Sequence, residues 1–277
     1  FRIYLHFLNL FVDPINHMGA AIAAAHTIFN ISNVIILTPF VSLLDKFLLF
    51  AVKDTGEDEV RVTKLASLKM TLPSVIIEQT KIEVSSMVTM IEDVFLKLEE
   101  SLKEKDKIAK YNDSIVEAED KLDLYEKEIY DSNFSLLSKS LSKELIEDTR
   151  MNLLTCDEYE TIGDYQNRIA NRLYMLYENS IELDETRAKM TFKLHSLTVE
   201  LFNDISRAAR TGEKELYPIG IKKYQILKTY YKEVKREHFS RSENIPARLN
   251  TGYLDIINYY KRIADHIYNI IEYVMKI

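Results

Sequence analysis

The chain has 277 residues, carries a formal net charge of -7 and contains one cysteine, Cys156. The acidic balance gives no basic surplus for nucleic acid, and a single cysteine excludes a disulfide framework and suits a reducing compartment. Six glycines, five prolines and little strand-type alternation favour an almost all-helical protein.

The opening stretch FRIYLHFLNLFV reads as the end of one apolar segment, closed by Asp13-Pro14. It lacks the basic start and small-residue cleavage site of a signal peptide. The expectation is that the sequence is the C-terminal part of a longer chain with further membrane helices upstream.

Gly19 to Phe40 follows, without one Asp, Glu, Lys or Arg. Its length matches the roughly 20 residues a helix needs to cross a bilayer. His26, Asn30, Ser32 and Asn33 interrupt it. Polar side chains at that depth need a partner, so the helix is expected to sit in a polytopic bundle, with His26, Asn30 and Asn33 as intramembrane polar groups. Pro39 is expected to end or kink this helix. Downstream lie Lys46, Lys53, Arg61, Lys64 and Lys69, against Arg2 upstream. That bias places the following part in the cytoplasm. The predicted organisation is a transmembrane helix at about 18–40 and an interfacial helix at about 41–53, together the end of a membrane domain over 1–53. A linker over 54–71 follows, opened by the polar break KDTGEDE, which begins at Lys53 and has Gly56 as its turn.

Six long helices are predicted beyond it. The first starts near Pro73, a favourable first-turn residue, and carries a stripe including Ile77, Met87, Ile91, Val94 and Leu98. The others fall near 108–139, 142–177, 184–211, 213–240 and 250–277. Long helices with short links suggest antiparallel bundles.

An internal repeat organises these helices. EYETIGDYQNRIANRLYML aligns with YYKRIADHIYNIIEYVM, so that Ile162 matches Ile263, Gly163 matches Ala264, Asp164 matches Asp265 and Ile169 matches Ile270. LYEKEIYDSNFS aligns with TYYKEVKREHFS. The chain therefore reads as two three-helix units, over 72–180 and 181–277, and a small residue at 163 and 264 would let helices approach closely.

Within the repeat, Glu119-x-x-x-Asp123 and Glu160-Thr-Ile-Gly-Asp164 resemble the acidic motifs of the PhoU domain, a duplicated three-helix bundle. KEVKREHFSR, with Lys261-Arg-Ile-Ala-Asp265-His266-x-x-Asn269-Ile270 after it, resembles the PhoU domain fused to bacterial sodium/phosphate cotransporters. AAAHTIFNISNVIILTPF is similar to the A-H-x-x-F-N segment, ending in P-F, that precedes that domain. The resemblance implies an all-α chain: a transmembrane helix, then a duplicated three-helix PhoU-like domain of six long helices. It implies the C-terminal part of a sodium-dependent phosphate transporter in a bacterial cell membrane, with a cytoplasmic regulatory domain. Its partners would be phosphate, the coupling ion sodium, lipid, the other helices of the transporter and a second copy. The family's substrate motifs lie in membrane helices that this sequence does not contain. An alternative is a membrane-anchored PhoU-like adaptor that regulates uptake without transporting.

The acids carry the remaining chemistry. Glu119 and Asp123 share one helix face, as do Glu160 and Asp164. Converging, the four would offer oxygen ligands to a divalent or ferric ion, which the resemblance also implies. Alternatively they are a solvated face. In the second unit Tyr224, Lys228 and Lys261 take the places of Glu119, Asp123 and Glu160, and Lys261 would pair with Asp265, so no metal is expected there. His238 and His266 read as surface or helix-end residues. An enzyme is not expected. No histidine has a glutamate three residues before it, as di-metal carboxylate bundles require. No Gly-rich phosphate loop occurs, and Cys156 lies among acids that disfavour its thiolate.

Overall fold

The computed structural model describes residues 18–51, 61–68, 72–137, 141–241 and 245–275. The apolar opening 1–12, Asp13-Pro14 and the KDTGEDE break lie outside them. The described residues form seven α-helices: α1 (Met18–Ala51), α2 (Pro73–Lys103), α3 (Lys107–Leu137), α4 (Lys143–Glu178), α5 (Glu185–Thr211), α6 (Leu216–Ser240) and α7 (Ala247–Met275), with a 3₁₀ turn at Leu65–Leu68. The chain divides into a unit over Phe1–Glu59 and a larger one over Val60–Ile277.

In the first unit α1 is one unbroken helix of 34 residues. It runs through position 39, so the helix does not end there and no separate interfacial helix begins. A proline inside a helix removes a single backbone bond, which a long helix tolerates. Its polar side chains turn inward on their own helix. Thr27, Ser32 and Thr38 donate to the carbonyls of Ala23, Ile28 and Val34, and Asn30 Nδ2 lies 3.1 Å from His26 Nδ1. Asn33 is half-buried. Among the described residues no helix is long and apolar enough to cross a membrane. The span expected at 18–40 is thus a helix, and its lipid-spanning role is unsupported.

The second unit is a bundle of α2 to α7. Pro73 opens α2 directly after an extended Leu72. Ser142 caps α4 by accepting from Leu145 N–H, and Asp184 caps α5 by accepting from Arg187 N–H at 3.0 Å. Gly212, at φ 77°, closes α5 in the left-handed region, its N–H on Ala208 O. α3 buries Ile108, Ile115, Leu122, Ile129 and Leu136. This seven-residue repeat gives a narrow stripe suited to near-antiparallel packing. α2, α3 and α4 pack on one another, as do α5, α6 and α7; α4 also lies along α7, and α2 against α5. One core of Met87, Ile91, Phe95, Ile162, Phe202 and Ile263 runs through both groups.

The repeat is visible in the packing. A Cβ on Gly163 would lie 2.3 Å from Leu122 Cδ1, so glycine sets the close approach of α4 to α3. At the matching place of the second group Ala264 and Leu227 are both fully buried.

The strand of chain before the bundle is pinned to it by two carboxylates. Glu128 accepts from the backbone N–H groups of Val62 and Thr63 at 2.8 and 2.9 Å, and Glu83 accepts from Lys64 N–H at 3.1 Å. Leu65 then enters the core.

Candidate functional site: an acidic groove between α3 and α4

The Gly163–Leu122 contact fixes where the acids point. Glu119 and Asp123 flank Leu122 on α3, and Glu160 and Asp164 flank Gly163 on α4. Helical spacing puts all four along one groove. They are near enough to act on one another. Burial raises the Glu119 carboxyl, helped by Asp123 and Asp164, while Asn167 works against it. Burial raises Asp123 also, with Asp120 and Asp164 adding to it. Glu160 is pushed up to about 7, first by burial and then by Glu126, Asp123 and Asp164. Asp164 instead pairs with Arg168 at 2.7 Å.

Two further acids belong to the groove. Burial and the neighbouring Asp157 raise Glu126. Burial and Glu158 raise Asp157, with His266 opposing. Their signal in the sequence was position alone: Glu126 is one turn beyond Asp123, and Asp157 one turn before Glu160–Thr161.

The donor set is chemically right for a hard cation, since every ligand would be oxygen. The placement is not. Among the described residues no three His, Cys, Asp or Glu side chains are gathered to hold a metal ion. The acids are strung along the groove instead, and Asp164 is already occupied by Arg168. As placed they do not fit a metal cluster.

The second group has remade this place. Tyr224 donates to Asp265 at 2.9 Å, Lys261 lies 2.5 Å from the same carboxylate, and Lys228 stands over the Tyr224 ring at 5.6 Å. Tyr224 also stacks on Tyr268, with 4.3 Å between centroids. The pairing of Lys261 with Asp265 follows the reading from sequence.

His238 lies in the last turn of α6, as a helix-end residue, but it is not at the surface, and His266 sits within α7. His238 is 2% exposed. Its Nδ1 accepts from Arg187 Nε at 3.2 Å, so its Nε2 carries the proton and donates to Asn250 Oδ1 at 2.7 Å. Arg187, itself buried, also holds Asp184 and Arg241 O and stands over the Tyr253 ring. This network ties α5, α6 and α7 together at one end. His266 is part of another. Its Nδ1 donates to Glu158 Oε2 at 2.7 Å; Tyr273 donates to Glu158 Oε1 at 2.6 Å, and Asn269 Nδ2 reaches both oxygens at 3.1 Å. Glu158 is 3% exposed. It is the carboxylate the sequence did not single out, and it joins the groove helix α4 to α7. Its one sequence signal is the polar set 266, 269, 273 at helical spacing on α7.

Cys156 is buried with its Sγ 3.7 Å from Met87 Sδ. Burial, then Glu126, Asp157 and Glu160, push its thiol far up, which removes it as a nucleophile.

The fold and its repeat define a class: duplicated three-helix bundles with an acidic groove in one half. The PhoU domain matches residues 84–173 and 192–274, more than half of the chain, and the chain belongs to the PhoU domain family. It is similar in structure to the phosphate transport system regulatory protein PhoU from Streptococcus pneumoniae. The TM-score there is 0.64 at 19% identity, over 74% of this chain and 95% of that one. PhoU from Pseudomonas aeruginosa aligns with a TM-score of 0.66 at 17% identity, over 72% and 94%. At these identities the likeness is one of fold. No curated protein matches the chain.

Proposed function

We propose that the six-helix bundle is a regulatory domain acting on phosphate uptake, borne on the cytoplasmic side of a bacterial membrane as part of a sodium-driven phosphate transporter. The observation that carries this is the order of elements: a PhoU domain following, in chain order, a helix with no Asp, Glu, Lys or Arg between Met18 and Leu44. The side chains of Ile22, Phe29, Val34 and Ile36 are exposed on α1, so it presents apolar surface that needs covering. Its polar middle suits a helix surrounded by other helices rather than by lipid alone. The bundle would bias the transporter between open and shut states by a coupling free energy, without chemistry of its own.

Two measurements test this. Alkaline carbonate extraction of cells expressing the chain should leave it in the membrane pellet; release into the soluble fraction overturns the membrane reading. Radiolabelled phosphate uptake by cells expressing the whole gene should rise with sodium outside over potassium. Equal uptake in both overturns sodium coupling and leaves the anchored adaptor as the better reading.

A hard cation held by Glu119, Asp123, Glu160 and Asp164 is a second proposal, favoured by the all-oxygen donor set that these four place along one groove, near enough to act on one another. It requires Arg168 to release Asp164 and the side chains to close in. Manganese or ferric ion should then raise the melting temperature of the chain, because it binds the folded state preferentially. The Glu160→Gln/Asp164→Asn variant should lose that rise. An equal rise in the variant places the ion elsewhere.

A further inference from the structure

The groove has more acids than a single ion needs and the wrong arrangement for one. Glu119, Asp123 and Glu126 descend α3 over about 10 Å at 1.5 Å per residue, and Asp157 and Glu160 face them from α4. Among the described residues none of these five takes part in an ion pair. An extended line of carboxylates without a cationic partner is matched by an extended cation.

Past Glu126 and Asp157 the same face turns apolar. Tyr130 lies beside Glu126 and Asp157, both of which act on its hydroxyl. Phe134 and Leu137 follow it at one-turn intervals on α3. α3 and α4 run antiparallel, so Ile146 lies on the facing stretch of α4. All four are exposed, and Phe134, at 74%, is the most exposed of the described large apolar side chains. The apolar end is thus continuous with the acidic line. From Glu119 to Leu137 the face is about 27 Å long, the length of roughly five helical turns.

We infer that the α3–α4 face is a docking groove for a cationic amphipathic helix of a partner protein, with apolar anchors on Tyr130, Phe134 and Leu137 and basic residues along Glu119 to Glu160. Helix-in-groove recognition uses this division of labour: a few buried anchors supply affinity, and complementary charge supplies register and on-rate. The charge selects against the competing occupants. An anionic lipid surface and a nucleic acid would both be repelled by the five carboxylates. The corresponding face of the second group carries Lys228 and Lys261 in place of acids, so among the described residues the six-helix bundle offers one such groove.

The test uses the full chain in nanodiscs of zwitterionic lipid, in EDTA, with empty nanodiscs as the blank. The probe is a fluorescein-labelled 18-residue amphipathic peptide made only of leucine and lysine. It should bind saturably, and its leucine–glutamate counterpart should not. Phe134→Ser should weaken binding about tenfold without changing any charge, and Glu126→Gln/Glu160→Gln by a similar factor. Ile226→Ser, at an exposed apolar position of α6, should change nothing. Binding that survives Phe134→Ser, or falls equally with Ile226→Ser, overturns the inference. So does self-association of the unliganded chain that Phe134→Ser abolishes, which would make a second copy the occupant. Failure of these outcomes leaves the transport reading untouched, because no arm depends on phosphate or sodium.

Discussion

Glu158→Ala is expected to destabilise the six-helix bundle by about 3 kcal/mol in urea unfolding at pH 7.5, the cost of leaving buried polar groups without their charged partner. The residue is 3% exposed and takes hydrogen bonds from His266, Asn269 and Tyr273. Water cannot replace it without opening the α4–α7 contact. Glu158→Gln keeps the shape and one acceptor but turns an amide donor towards donors, so it should cost less than alanine yet more than Tyr273→Phe. The last removes a single donor and should cost about 1 kcal/mol. This order of effects separates a hydrogen-bonded hub from simple packing. If Tyr273→Phe costs as much as Glu158→Ala, or if Glu158→Ala costs under about 1 kcal/mol, the carboxylate is not what joins the two helices. The position matters because α4 carries one wall of the acidic groove on its opposite side. A bundle loosened here should also lose register at the groove.

The sequence made the bundle legible where one helix decides the outcome by itself. The isoleucine and leucine repeat of α3 states its buried stripe, Pro73 states the start of α2, and the paired motifs around Gly163 and Ala264 state the duplication. It was less informative where distant segments decide jointly. Glu158 is one acid among many until α7 supplies His266 and Tyr273 more than a hundred residues later. His238 reads as a surface or helix-end residue; it does end α6, but its burial shows only when Arg187 and Asn250 close on it from two other helices. The groove was half legible. Acid pairs at four-residue spacing were visible, but Glu126 and Asp157 join them only because α3 and α4 run side by side. That they form a line and not a cage is a property of packing, which spacing along one helix does not encode. α1 shows the same limit from the other side: Pro39 reads as an end or a kink, and of these the end does not occur, since the helix continues to Ala51.

Acid should pull this protein in two directions at once, and single substitutions should separate them. Burial pushes the His195 imidazole down to about 4; Glu99 opposes the shift and Lys103 assists it. The ring is packed against Phe95 and bonded to Tyr260, and its Nε2 has no partner among the described residues. A base with a depressed folded pKa contributes stability above its unfolded value near 6.5. That stability drains away as pH falls, and the loss is complete below about 4. The span corresponds to roughly 3 kcal/mol between pH 7 and pH 4. His238, lowered first by burial and then by Arg187, acts with the same sign. Glu160 acts with the opposite sign. Its folded value of about 7 lies above the ordinary carboxylate range, so the groove is relieved on protonation, and the stability it contributes below pH 4.5 is lost as pH rises through 7. Glu160→Gln should therefore be more stable than the parent at pH 8, by a margin that has shrunk strongly at pH 5 and is gone at pH 4. His195→Gln should be less stable than the parent at pH 8, and the gap should narrow steadily from pH 6.5 to pH 4 as the parent loses what the variant never had. The measurement is urea unfolding of the full chain at pH 8, 6.5, 5 and 4. A gain from Glu160→Gln that persists undiminished at pH 5 would mean that the glutamate is strained by packing and not by charge. A His195→Gln gap that stays constant across the range would mean that the imidazole takes its proton as easily in the fold as outside it.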